Sequence, residues 1–223
     1  MALLVFAACK KSYITGAPEN INKFARTSTY DVLKGFPQYD TLIQLIDTAG
    51  LKDKINAQGV TFFVPSDYSI FAYLQQRTLV VQRNNQYAKF ALDSLFYYLR
   101  NNLNGTRDSL LMYLIHQPIS YSNLTNYGTS YPTELPGDSV VVSYEYVTNG
   151  NLGYNALVSG EPQVVYFTQL WYPFTPGPNN LVGSITPSIG IHNLVTSSGI
   201  ITQNGVIEAL DNSNPLFFYG TKQ

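Results

Sequence analysis

Two short stretches, far apart in the chain, carry the sharpest changes of hydrophobic pattern. Thr61-Phe62-Phe63-Val64 is a β-branched and aromatic run that Pro65 stops, and Ser66-Asp67 then open the amphipathic run from Tyr68 to Gln76. That order predicts a strand, a tight corner and a helix capped by Ser66, with Asp67 as a first-turn anion favourable to the helix dipole. In the second stretch, Asn204-Gly205 is a hairpin-grade turn leading into the apolar run Val206 to Leu210, which ends on a lone carboxylate, Asp211. Asp211 reads as a turn residue ahead of Asn212 and Pro215.

The rest of the pattern falls into helices first and strands later. Tyr30 to Lys34 reads as a short helix and Asp40 to Ala49 as a second, with Leu42, Ile43 and Ile46 on one face and Gly50 where a left-handed cap is needed. Gln86 to Leu103 carries Tyr87, Phe90, Ala91, Leu95, Tyr98 and Leu99 along one side and predicts a helix ended by Asn104-Gly105. Thr106 is placed to cap another, Leu110 to His116, which Pro118 ends. From Val140 the period changes to two, with Val140, Val142, Tyr144 and Tyr146 on one face and Ser143 and Glu145 on the other. Such an order predicts an α+β arrangement.

Taken in sequence, these segments resemble the fasciclin (FAS1) domain, an extracellular adhesion and ligand-binding module, over roughly Thr27 to Tyr219. The family's central Tyr-His element has its counterpart in Leu110-Leu111-Met112-Tyr113-Leu114-Ile115-His116, where the His is present and Ile115 stands at the Tyr. The resemblance implies a fasciclin-like β-sandwich or wedge with an N-terminal α-helical layer, as a single domain over residues 27–223 with an enlarged insertion around 131–196. It makes Ser66, Asp67, His116, Asn204, Gly205 and Asp211 structural motif residues; at a helix end beside Pro118, His116 reads as a packing and hydrogen-bonding residue that does no chemistry. Integrin recognition in animal relatives is assigned to the Tyr-His element and to an Asp-Ile pair, which here are Ile115-His116 and Gly199-Ile200, so that activity does not carry over. The His that commonly follows Asn-Gly-Val-Ile is Glu208.

Composition narrows the setting. A chain of 223 residues is long enough for one sizeable core. Charged residues make up 12% and the formal net charge is -1, so no basic field exists to hold nucleic acid. Eighteen Tyr and an aromatic share of 14% favour stacking and neutral polar contacts over charge steering. A single Cys excludes an intramolecular disulfide framework.

That Cys lies in Phe6-Ala7-Ala8-Cys9, which looks like the lipobox of a bacterial lipoprotein. On this reading residues 1–8 are a truncated lipoprotein signal segment, Cys9 is lipidated and residues 9–26 form a tether. The chain would then sit in the bacterial cell envelope, lipid-anchored, at the outer membrane or cell surface. A buried N-terminal strand with an incidental thiol is the alternative. Met1 to Ala8 is too short to span a bilayer.

Chemistry is sparse. The sequence has no GxSxG, HExxH, Walker, GxGxxG or EF-hand pattern, and the reading calls for no cofactor, no metal and no catalytic residue. The feature that stands out is a strand, Val164 to Leu170, running into Trp171-Tyr172-Pro173-Phe174-Thr175-Pro176-Gly177-Pro178. If exposed, Trp171, Tyr172 and Phe174 form a stacking platform for a sugar face or a protein partner; the alternative folds Trp171 and Phe174 back onto the core. Three functions follow: a non-catalytic surface adhesion or ligand-binding lipoprotein, glycan-directed or protein-directed; a structural accessory subunit of an outer-membrane complex; or a hydrolase using the late carboxylates Glu208 and Asp211.

Overall fold

The computed structural model describes residues 22–157 and 160–222. Helices come first. Helix α1 (Thr29–Lys34) starts at Ser28, whose hydroxyl accepts from Asp31 N–H. Helix α2 (Asp40–Ala49) stops at Gly50 with φ 67°, the left-handed cap its pattern requires. A single turn, α3 (Lys52–Ile55), follows, then strand β1 (Val60–Val64) and helices α4 (Asp67–Gln82), α5 (Leu92–Arg100) and α6 (Thr106–Ser109). Strands β2 (Leu114–Ile115), β3 (Thr129–Pro132), β4 (Ser139–Tyr146), β5 (Gln163–Leu170), β6 (Gly190–Ile201) and β7 (Gly205–Leu210) complete a mixed seven-stranded sheet, in the order β2-β1-β7-β6-β5-β4-β3. The expected α+β class and fasciclin-like arrangement are what the chain adopts.

Among the seven strands described, β1 and β7 are the one parallel pair, and they are the strands of the two stretches with the sharpest patterns. Val60 lies opposite Gly205, and Phe63 opposite Glu208. The long β6 turns the sheet: its first half, Gly190 to Leu194, pairs with β5, and its second half pairs with β7 through a bulge between Ser197 and Ile200. The fold-over is measurable. Phe63 of β1 and Phe167 of β5 lie three strands apart in the sheet, about 14 Å if it were flat, yet their ring centroids are 4.6 Å apart. The two outer edges also meet, where Glu134 N–H donates to the Leu114 carbonyl at 2.8 Å, so the sheet closes in the manner of a barrel.

Alternation sends neighbouring residues of β1 to opposite sides of the strand within one continuous core. Phe62 packs beside Leu42 and Ile46 under the helices, while Phe63 joins Phe167, Tyr113 and Phe218 inside the folded sheet. Burying this many large side chains, each contributing about 1.5–3 kcal/mol, is what holds the helical layer to the sheet.

Three expectations need correction. The helix expected over Gln86 to Leu103 is only Leu92–Arg100. Upstream, Asn85 accepts from Tyr87 N–H in a local turn, and Thr78 Oγ1 bonds both the N–H and the carbonyl of Phe90, which holds Phe90 in the core from an extended segment. The expected Leu110 to His116 helix is a 3-10 turn, Leu110–Tyr113, followed by β2, because Leu114 and Ile115 pair with Phe62 and Thr61. Finally, Ser143 is buried although it lies on the polar face of β4. The segment between β5 and β6 covers that face and places the fully buried Val182 against it, near Val141 and Gly128.

Candidate functional site

The aromatic tip emerges directly from β5. Trp171 N–H donates to the Ile189 carbonyl at 2.7 Å, so the strand pairing continues one step past Leu170 and fixes the base of the loop that returns to β6. From there the rings diverge. Trp171 turns inward: its indole N–H donates to the Pro187 carbonyl at 3.2 Å and its ring meets Phe218 edge-on at 6.5 Å. Phe174 is half-buried. Tyr172 stands out at 55% exposure, with Lys222 Nζ 4.8 Å above its ring centroid. The alternatives left open by the sequence are therefore divided within one segment: Trp171 is an anchor against the core and Tyr172 presents a face to solvent. Asn180 braces the turn, its side-chain amide donating to the Thr175 carbonyl at 2.6 Å. This corner combines a fixed base, an exposed ring and a cation, groups able to make stacking and polar contacts.

The signature residues are placed by different physics from that expected. Ser66 is at the N-cap position of α4, but its hydroxyl makes no capping bond and donates to Asn212 Oδ1, tying the corner to the segment after β7. Asp67 caps a different helix from its own: its two carboxylate oxygens accept from Thr41 N–H at 3.0 Å and Leu42 N–H at 3.1 Å, satisfying the first turn of α2. His116 makes its contact at the surface. Leaving the end of β2, its side chain is 66% exposed, with Nδ1 3.3 Å from Glu134 Oε1, whose other oxygen meets Lys54 Nζ at 3.3 Å. A surface arrangement of this kind contributes little stability. Asn204 is buried, Gly205 beside it is partly buried at the start of β7, and Asp211 closes the expected turn by accepting from Ser213 N–H and Oγ. Cys9, the segment 1–8 and most of the tether lie outside the described residues.

The late carboxylates do not converge. Along β7, Glu208 shares a face with Val206 and Leu210, whereas Asp211 follows Leu210 onto the opposite side, beside Tyr166. Glu208 is only 2% exposed, and burial pushes its carboxyl up to about 8 against the opposing hydrogen bonds from Ser198 and Gly199. No group of three or more His, Cys, Asp or Glu able to hold a metal occurs among the described residues. Glu208 is also the residue whose importance the sequence conceals: one carboxylate in an apolar strand is the signal, and only the fold-over of the sheet shows it to be interior.

Fold and surface together define an α+β domain whose exposed chemistry is that of contact. A family model for the fasciclin domain matches residues 37–166, more than half of the chain, and the chain belongs to the fasciclin domain family. Fasciclin domains serve cell adhesion or binding through protein or ligand contacts, and they are typically extracellular or surface-associated. Among solved structures, the FAS1 domain pair of the insect cell adhesion molecule fasciclin I is similar at 15% identity and a TM-score of 0.44, over 78% of this chain and 44% of that one. No match is found among curated proteins. No helix among the described residues is long and apolar enough to cross a membrane.

Proposed function

We propose that this chain is a non-catalytic adhesion or ligand-binding protein of the bacterial cell surface, anchored through lipid on Cys9 and contacting an uncharged glycan with the Tyr172 corner. The observation that carries the reading is the exposed Tyr172 ring on a base held by Trp171, beside Lys222. A rigid base lowers the ordering cost of binding. The low charge content supports recognition of a neutral sugar face over an ionic one. Residues 27–223 would act as one domain, with 9–26 as tether and the enlarged 131–196 region carrying the contact.

A glycan array probed with the full chain tests the contact. Wild type is expected to bind, and Tyr172→Ala is expected to lose binding while its unfolding free energy changes by no more than about 0.5 kcal/mol, as for a surface side chain. Unchanged binding by Tyr172→Ala removes the corner as the site. The anchor has its own test: expressed in a bacterium behind a complete lipoprotein signal, wild type should incorporate labelled fatty acid and Cys9→Ser should not, and equal labelling refutes lipidation at Cys9.

A second reading, an accessory subunit of an outer-membrane complex, is favoured by helix α4. Its outer side exposes Tyr68, Phe71, Leu79 and Val80, in addition to the inner side formed by Ile70 and Tyr73. An apolar face of that size on the surface suits a protein partner. Stable co-purification that Phe71→Ser abolishes, with a blank glycan array, would decide for it.

A further inference from the structure

A cleft distinct from the aromatic corner lies between the helical layer and the second half of β6. There β6 has left β5, its register shifts between Ser197 and Ile200, and the chain ahead of α1 enters beside its end. Phe24 bridges Thr202, and Gln203 N–H donates to the Thr27 carbonyl at 2.9 Å, so the entering segment is fixed to the sheet. The cleft measures about 420 Å³, with Leu33 and Phe36 on its helical wall and Ile200 and Ile207 on its sheet wall. Phe24 and the exposed Lys23 stand at its mouth. The volume is that of a small-molecule site, and such sites combine apolar walls with a few placed polar groups.

One charge faces this cleft. Among the described residues that line it, Lys23 alone is charged and none is acidic. Lys23 takes no part in the ion pairs found among the described residues, which join Lys54 and His116 to Glu134 and Arg107 to Asp108. Its ammonium is carried over the Phe24 ring, 5.2 Å from the centroid, so the aliphatic stem follows an apolar wall while the charge stays at the wet rim. The complementary molecule has the same order of parts with the opposite charge. An alkyl chain against the walls removes them from water, and a single carboxylate at the mouth meets the unpaired ammonium in a charge-assisted hydrogen bond. A cationic amphiphile would be repelled by Lys23, and a small anion without a chain would leave the walls wet.

We propose that this cleft binds a monoanionic amphiphile with a single alkyl chain, a free fatty acid, whose carboxylate pairs with Lys23. The site shares no residue with the Tyr172 corner, so the two readings fail independently. Calorimetric titration of the full chain with dodecanoate below its micelle concentration tests it. Wild type is expected to bind saturably, and each methylene removed from the acid should weaken binding by about fourfold, the equivalent of about 0.8 kcal/mol. Lys23→Gln, a change at an exposed side chain, should weaken dodecanoate by about fivefold, the upper end for a partly exposed ion pair, and leave the affinity for dodecan-1-ol unaltered. Ile200→Trp, which fills the cleft from its partly exposed wall, should weaken both ligands by about tenfold or more. Gln38→Trp at the rim takes its place if that variant fails to fold. Lys222→Gln, at the Tyr172 corner, should change nothing. The proposal is overturned by absence of saturable binding in wild type, by equal dodecanoate affinity in wild type and Lys23→Gln, by full binding in a folded cleft-filling variant, or by a loss produced by Lys222→Gln.

Discussion

Replacing Glu208 by Gln will make the protein more stable in mild alkali, by up to about 5 kcal/mol, the equivalent of moving a carboxyl from its ordinary value to about 8. The sign follows from proton binding. In the unfolded chain Glu208 ionises near 4.5; in the folded protein desolvation keeps it protonated to about 8. Between those values the folded state holds the extra proton, so its stability falls as pH rises through the window. The contribution is fully present below pH 4.5 and is gone above about 8, where a buried carboxylate must be accommodated. Glutamine retains an acceptor for Gly199 N–H and does not titrate. Urea unfolding midpoints at pH 4.5, 6.5 and 8.5 should therefore show wild type and Glu208→Gln close together at the lowest pH and separating progressively above it. Parallel curves for the two proteins would show that Glu208 ionises normally, contrary to its burial. Glu145, also raised by burial, contributes to the pH dependence of both proteins and cancels in the comparison.

Legibility in the sequence tracked how local the determining physics was. The α2 helix with its Gly50 stop and the β1 strand ended by Pro65 are each determined within a few residues and stand where the pattern puts them, whereas the turn expected at Asn204-Gly205 falls at Gln203-Asn204, with Gly205 already the first residue of β7. The 86–103 and 110–116 segments failed for a shared reason: their helical periodicity was real, but distant partners offered better hydrogen bonds. Thr78 claimed the backbone of Phe90, and β1 claimed Leu114 and Ile115. Asp67 was legible as a helix-terminal anion, though not as the cap of a helix 25 residues earlier. The aromatic tip was visible as composition, but separating Trp171 from Tyr172 required knowing that Pro187 and Phe218 lie on one side only. Glu208 was least legible, because alternation in β7 marks a face without saying that the sheet folds over it.

A strong structural dependence is expected at Asn204. Its side chain is buried and is used at both ends: Oδ1 accepts from Thr29 N–H at 2.8 Å, while Nδ2 donates to Thr29 Oγ1 and the Ile55 carbonyl at 3.1 Å and reaches the Ala57 carbonyl at 3.4 Å. One amide thus joins the β6–β7 turn to the start of α1 and the end of α3, three segments separated by up to 175 residues. Thr202 reinforces the junction, with its hydroxyl 2.8 Å from that of Thr29. Asn204→Ala leaves a buried N–H and a buried carbonyl without partners, and the loss should be about 2–6 kcal/mol, since each orphaned group costs about 1–3 kcal/mol. Asn204→Asp keeps the acceptor for Thr29 N–H but removes the donors and places a charge among carbonyls, so it should fail to restore stability near neutrality. The neighbouring Gly205 has a separate constraint: a Cβ added there would lie 2.0 Å from the Val60 carbonyl oxygen, within the parallel pairing of β7 with β1. Gly205→Ala must therefore separate the two strands whose patterns are sharpest in the sequence, and it should leave the chain unfolded or insoluble. Chemical denaturation of Asn204→Ala, with hydrogen exchange at Thr29, checks the argument. A midpoint within error of wild type, with Thr29 still protected, would mean that the junction is held by backbone pairing alone.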